Sequence, residues 1–106
     1  MSQHIALAEI LIDVEKELRE LRLWEAEPPS AEALASVQPF AVDTLTFAQW
    51  LQFIFLPRLY EMINAGAELP DNCGVAPMAE EYFHPLGLNS GNLINHLRRI
   101  DVLLTR

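Results

Sequence analysis

Residues 47–56 read Phe-Ala-Gln-Trp-Leu-Gln-Phe-Ile-Phe-Leu, and Pro57 follows at once. This run constrains the fold more than any other stretch. Thr46-Phe47-Ala48-Gln49 has the form of a capping box, with a hydroxyl at the N-cap and an amide three residues on. A helix that starts there carries almost no polar face through its first half, and a helix apolar all round is packed on more than one side. It is expected to be central, and to run to about Ala65, where Gly66 supplies a residue tolerant of positive φ. Pro57 removes the bond its N–H would give to the Phe53 carbonyl and crowds that turn. Leu59, Tyr60, Met62 and Ile63 resume the helical pattern beyond it, so the expectation is a kink, not a break. Gln49 and Gln52 interrupt the run, which is too short to cross a bilayer.

The segments around it read with the same period. Leu7, Leu11, Val14, Leu18 and Leu21 form a stripe widened by Ile5, Ala8 and Ile12, predicting a first helix over residues 3–25 that Pro28 and Pro29 end. Glu15 and Arg19 are spaced to pair across one turn of it. Ser30 caps a short helical turn over residues 31–36, and Gln38-Pro39-Phe40 is read as extended. Residues 66–76 form a loop, and Pro77 opens a short helix over residues 78–83, stopped by His84-Pro85 and Gly87. A last helix over residues 90–104 has the core stripe Leu93, Leu97, Ile100 and Leu104. No segment alternates with period two for long enough to make a strand. The expected architecture is all-α: one bundle domain over residues 1–106, with three long helices, two short ones and a central helix kinked at proline.

Charge narrows the function classes. The chain has 106 residues and a formal net charge of −8. Residues 28–91 hold seven acids against one base, Arg58, while Arg98, Arg99 and Arg106 leave the last helix mildly basic. Phosphate affinity needs clustered Lys and Arg, so direct nucleic-acid binding is not expected. Cys73 is the single cysteine, which excludes an internal disulfide and a four-cysteine zinc site. No basic segment followed by an apolar one opens the chain, so a cytoplasmic protein is expected.

The middle of the chain resembles the YqcC-like family of small bacterial proteins of unknown function. Gln38-Pro39-Phe40, Asp43-Thr44 and the run Trp50-Leu51-Gln52-Phe53-Ile54-Phe55-Leu56-Pro57-Arg58 carry the resemblance, and Leu69-Pro70 and Val75-Ala76-Pro77 continue it. The resemblance implies a compact helical protein whose gene often neighbours that of a tRNA pseudouridine synthase. It implies no catalytic or ligand-binding residue.

Few constellations in the chain carry chemistry. Glu81-Tyr82-Phe83-His84 has Glu-x-x-His spacing, but di-iron bundles use two such motifs with two further glutamates, and here there is one. Cys73 has no nearby cation to activate it. No catalytic set, cofactor or metal is therefore expected. Arg58 either snorkels to water, pairs with Asp43, Glu61 or Glu80, or anchors an anion or a partner. The aromatics Trp50, Phe53, Phe55 and Tyr60, with Trp24 and Phe40, fill the core, line a pocket, or leave a stripe exposed for a partner.

The reading that follows is a non-enzymatic, cytoplasmic accessory protein acting through protein–protein interaction, with a tRNA pseudouridine synthase as the indicated partner. The residues expected to form the interaction surface or pocket are Trp50, Phe53, Pro57, Arg58, Tyr60, Pro77, Met78 and Phe83. The alternative is a small-molecule or lipid-binding bundle with a pocket near Pro57. The oligomeric state is left open.

Overall fold

In the computed structural model, which describes residues 3–70, 74–86 and 91–104, the architecture is all-helical, with no strand among the described residues. Helix α1 spans Gln3–Glu20, α2 Ala31–Leu34, α3 Phe47–Trp50, α4 Leu56–Ala65, α5 Val75–Phe83 and α6 Gly91–Leu104. Helices α3 and α4 belong to one continuous rod over residues 47–65, joined by a π-helical turn at Leu51–Phe55.

Three antiparallel pairings assemble the bundle. Along α1 and α6, Gln3 donates to the Leu103 carbonyl at 2.9 Å and Asp13 meets Arg99 at 3.3 Å. Along α1 and the central rod, the His4 ring lies 2.7 Å from the Ala67 carbonyl while the loop after α1 meets Gln49 and Gln52 at the other end. Along α5 and α6, Asp101 meets Val75 and Ala76, and Arg98 pairs with Glu80. Leu7, Leu11, Val14, Leu18, Leu51, Leu93, Leu97, Ile100 and Phe83 are fully buried between these elements.

The structure revises several expected boundaries. Helix α1 stops at Glu20, before the prolines, in a Schellman turn: Leu23 N–H donates to the Leu18 carbonyl at 2.9 Å and Arg22 N–H to the Arg19 carbonyl at 3.0 Å. Arg22 takes the left-handed conformation (φ 61°) that a glycine usually supplies there. The α1 core stripe includes Ile10, whereas Ile5 and Ile12 are about 60% exposed. Gly66 closes α4 as expected, at φ 65° with the same two-bond pattern to Ile63 and Met62. Ser30 and the Thr46–Gln49 box cap their helices as read from the sequence. The predicted start of the last helix at Ser90 and the loop around Cys73 lie outside the described residues.

Pro57 directly follows the π turn and fits it. Leu56 N–H donates to the Leu51 carbonyl, five residues back, and Pro57 enters α4 at its first turn, where no N–H is required. Residues 50, 51, 55 and 56 all keep right-handed helical dihedrals. The disturbance expected as a kink is thus a local widening of the helix one turn ahead of the proline.

Candidate functional site

The outer face of the central rod is built by the residues that its packing leaves over. Phe47, Ala48, Leu51, Gln52, Phe55, Leu56 and Leu59 point inward, while Trp50, Phe53 and Ile54 are half-buried and Pro57 is exposed. The connector after α2 folds over this leftover face. Gln38-Pro39-Phe40 is not extended as expected: Pro39–Ala41 forms a 3-10 turn in which Phe40 (φ 57°) and Ala41 (φ 49°) are both left-handed. Two consecutive non-glycine residues in that region cost about 1–2 kcal/mol each. The surroundings hold them there. Ala41 is buried, its carbonyl accepts from Leu45 N–H at 2.9 Å, and Thr44 Oγ1 donates to the Ala33 carbonyl at 2.7 Å. Ser36 Oγ accepts from Gln38 N–H and donates to Asp43 Oδ1.

The result is an aromatic cluster under two surface grooves. Phe40 meets Trp50 edge-on at 4.8 Å between ring centroids, and Trp50 stacks on Phe55 at 5.0 Å. Phe47 lies between Trp50, Tyr82 and Phe83 at 5.7, 5.9 and 6.1 Å. One groove, of about 700 Å³, is lined by Leu34, Ser36, Gln38, Phe40, Ala41, Trp50, Phe53, Ile54, Pro57, Arg58 and Glu61. The other, of about 290 Å³, is lined by Phe40, Val42, Leu45, Thr46, Phe47, Met78, Glu81 and Tyr82. Phe40 is the shared wall.

The eight residues expected at the site divide accordingly. Trp50, Phe53, Pro57 and Arg58 come together in the larger groove, and Met78 lines the smaller. Tyr60 lies in neither; it packs against the core, and burial, with the Glu15 charge adding to it, raises its hydroxyl above the usual tyrosine range. Pro77 is exposed at the start of α5, outside both grooves, and Phe83 is fully buried core. Of the acids offered as partners to Arg58, Asp43 is held by Ser36 and Glu80 pairs with Arg98, and Glu61 lines the groove without an ion pair to Arg58. Trp24 lies beneath Arg19, whose guanidinium carbon is 4.6 Å from the ring centroid. Glu81 and His84 are both exposed, and no group of three potential metal-ligating residues occurs among the described residues.

Sequence reasoning counted Phe40 among the aromatics able to line a pocket, but not as the wall shared by two grooves, and it did not single out Tyr82. A left-handed phenylalanine leaves no composition or period signal, whereas Tyr82, half-buried near the end of α5, was visible only as part of Glu-x-x-His.

Comparison with known proteins places this architecture. The DUF446 family model, described as tRNA pseudouridine synthase C, matches residues 6–103. The chain belongs to the DUF446 family. An uncharacterised YqcC protein of Escherichia coli K12 is 30% identical over 97% of this chain and 94% of its own. The solution NMR structure of E. coli YqcC superposes with a TM-score of 0.83 at 29% identity, covering 98% of this chain and 89% of that one. An uncharacterised Haemophilus influenzae protein is 39% identical over 60% of each chain. A Pectobacterium carotovorum protein named tRNA pseudouridine synthase C is 39% identical over 66% of this chain, which is 19% of its own length. This DUF446 chain therefore matches about a fifth of the synthase and three fifths of the Haemophilus relative. The YqcC-like resemblance and the all-α bundle both hold.

Proposed function

We propose that this protein is a non-catalytic accessory subunit that docks on a tRNA pseudouridine synthase through the aromatic face on either side of Phe40. The observation that carries this reading is the Pectobacterium match: a segment like this chain lies within one polypeptide named as a synthase and accounts for 19% of it. The role of that segment toward the rest of the synthase is the one proposed for this chain. Half-buried Trp50, Phe53, Met78 and Tyr82 support docking, because aromatic and methionine side chains anchor protein interfaces. Charge supports the partner's chemistry. An enzyme that holds tRNA carries a basic surface, and a chain of net charge −8 is complementary to it. The same charge argues that the chain does not bind tRNA itself. A cytoplasmic location follows from the proposed partner, and no helix among the described residues is long and apolar enough to cross a membrane.

The test is co-purification of the two proteins, followed by titration calorimetry at about 50 and 300 mM salt, a range over which exposed charge becomes strongly screened. Binding that weakens as salt rises is the expected result. No heat and no co-elution at tens of micromolar, with tRNA present or absent, would end this reading.

A further inference from the structure

The larger groove contains a cation that the fold leaves unused. Arg58 is exposed and is the single base in residues 28–91. Among the described residues the ion pairs belong to Arg19, Arg98 and Arg99, and Arg58 takes part in none of them. Trp50, Phe53, Ile54 and Pro57 form an apolar wall on one side of it, and Gln38 and Glu61 bring polar groups to the rim.

We infer that this groove binds a small monocarboxylic acid with an aromatic body, its carboxylate on the Arg58 guanidinium and its ring against Trp50 and Phe53. Neither the docking proposal nor any partner is needed for this inference, since it concerns the isolated chain.

Three features select that chemistry. A guanidinium offers two parallel N–H donors matched to the two oxygens of a carboxylate. Glu61 follows Arg58 by three residues on the same helix, one turn on, so a second negative charge on the ligand meets a like charge. That favours a monoanion over a phosphate dianion. The size, about 700 Å³, suits a compact organic molecule, and most of the apolar wall comes from one helical rod and the edge-on Phe40–Trp50 pair. The left-handed Phe40 and Ala41, fixed by the fold, keep that wall in place, so little ordering is left for the ligand to impose.

The experiment is a titration of the full chain with 4-phenylbutyrate, and in parallel with the neutral 4-phenylbutyramide, read by backbone amide shifts in two-dimensional NMR. Saturable shifts confined to residues 34–61, with the amide about tenfold weaker, are the expected result. Arg58→Gln should abolish the preference for the acid, Arg58→Lys should restore part of it, and Glu61→Gln should tighten binding of the acid. Arg58 is exposed, so these variants keep the fold, and the acid–amide comparison in the unaltered chain stands without them. No saturable shift by about 10 mM, equal binding of acid and amide, or an unchanged preference in Arg58→Gln overturns the inference. Each of these results is independent of whether the chain binds a synthase.

Discussion

Gln52 makes a hydrogen-bonded pair where helical geometry offers the chain none. Its Oε1 accepts from the Glu25 N–H at 2.9 Å and its Nε2 donates to the Glu25 carbonyl at 2.8 Å, so one amide satisfies both backbone groups of a loop residue. Gln52 is the one buried polar residue among those described, at 7% exposure. Gln49 adds to the clasp by donating to the Glu25 carboxylate at 3.2 Å while its Oε1 closes the capping box on Thr46 N–H. Gln52→Leu keeps the volume and leaves the Glu25 N–H and C=O without partners. It should lower stability by about 1–3 kcal/mol, read as a shift in the urea midpoint. Arg22 is the opposite case. Its left-handed backbone at the end of α1 carries strain that a glycine does not, so Arg22→Gly should raise stability by about 0.5–1 kcal/mol in the same assay. An unchanged midpoint in either variant would remove the corresponding role.

Among the elements, the central rod carries the least expected feature. Phe47, Leu51, Phe55 and Leu59 are all buried, a spacing of four. An α-helix turns about 100° per residue, so such a row drifts by about 120° around the axis over twelve residues. A π turn absorbs about one extra residue and returns most of that drift, which is why the four side chains share one face. Packing therefore demands the π turn, and Pro57 is compatible with it because it has no N–H to place. Pro57→Ala should accordingly retain the Leu56–Leu51 hydrogen bond, seen as the same pattern of amide contacts by NMR; a plain α-helical pattern there would show that the proline imposes the turn. Burial grades the alanine variants along the rod. Leu51→Ala and Phe55→Ala should each cost about 2–5 kcal/mol, whereas Ile54→Ala, half-exposed on the groove, should cost under about 1.5 kcal/mol. Helix α5 shows a second dependence between elements. Gly74 has no side chain to cap it, and Asp101 of α6 accepts instead from the Val75 and Ala76 N–H groups at 3.0 and 2.9 Å. Asp101→Ala should cost about 1–2 kcal/mol and selectively raise amide exchange in α5.

For the whole molecule, net charge sets the outcome that is easiest to check. At about 150 mM salt and micromolar protein, tRNA should show no retardation in a gel shift, because a −8 chain offers too few phosphate contacts. The bundle is about as dense as its length requires: its radius of gyration is 13.4 Å, against about 13 Å for a compact chain of roughly 100 residues. Both grooves of the site lie where the central rod is covered by the connector after α2.

How much was legible follows from the range of the interaction involved. Helical class, the Thr46–Gln49 cap, the Gly66 terminator and the α6 stripe of Leu93, Leu97, Ile100 and Leu104 all rest on contacts within a few residues, so residue type and spacing determine them. The aromatic excess of residues 47–57 likewise announced both a central helix and a leftover face. What the sequence did not determine is which residue of a face turns inward. Ile10 is buried while Ile5 and Ile12 are exposed, because only the crossing of α1 with α6 and α4 decides it. Nor did spacing reveal that Phe40 closes the larger groove, that Gln52 holds Glu25, or that Asp101 caps α5. These depend on partners 7–10 residues away at Trp50 and Phe47, 27 residues away, and 25–26 residues away. Their strain and desolvation are offset only after the bundle has closed, which is why tertiary structure alone decides them.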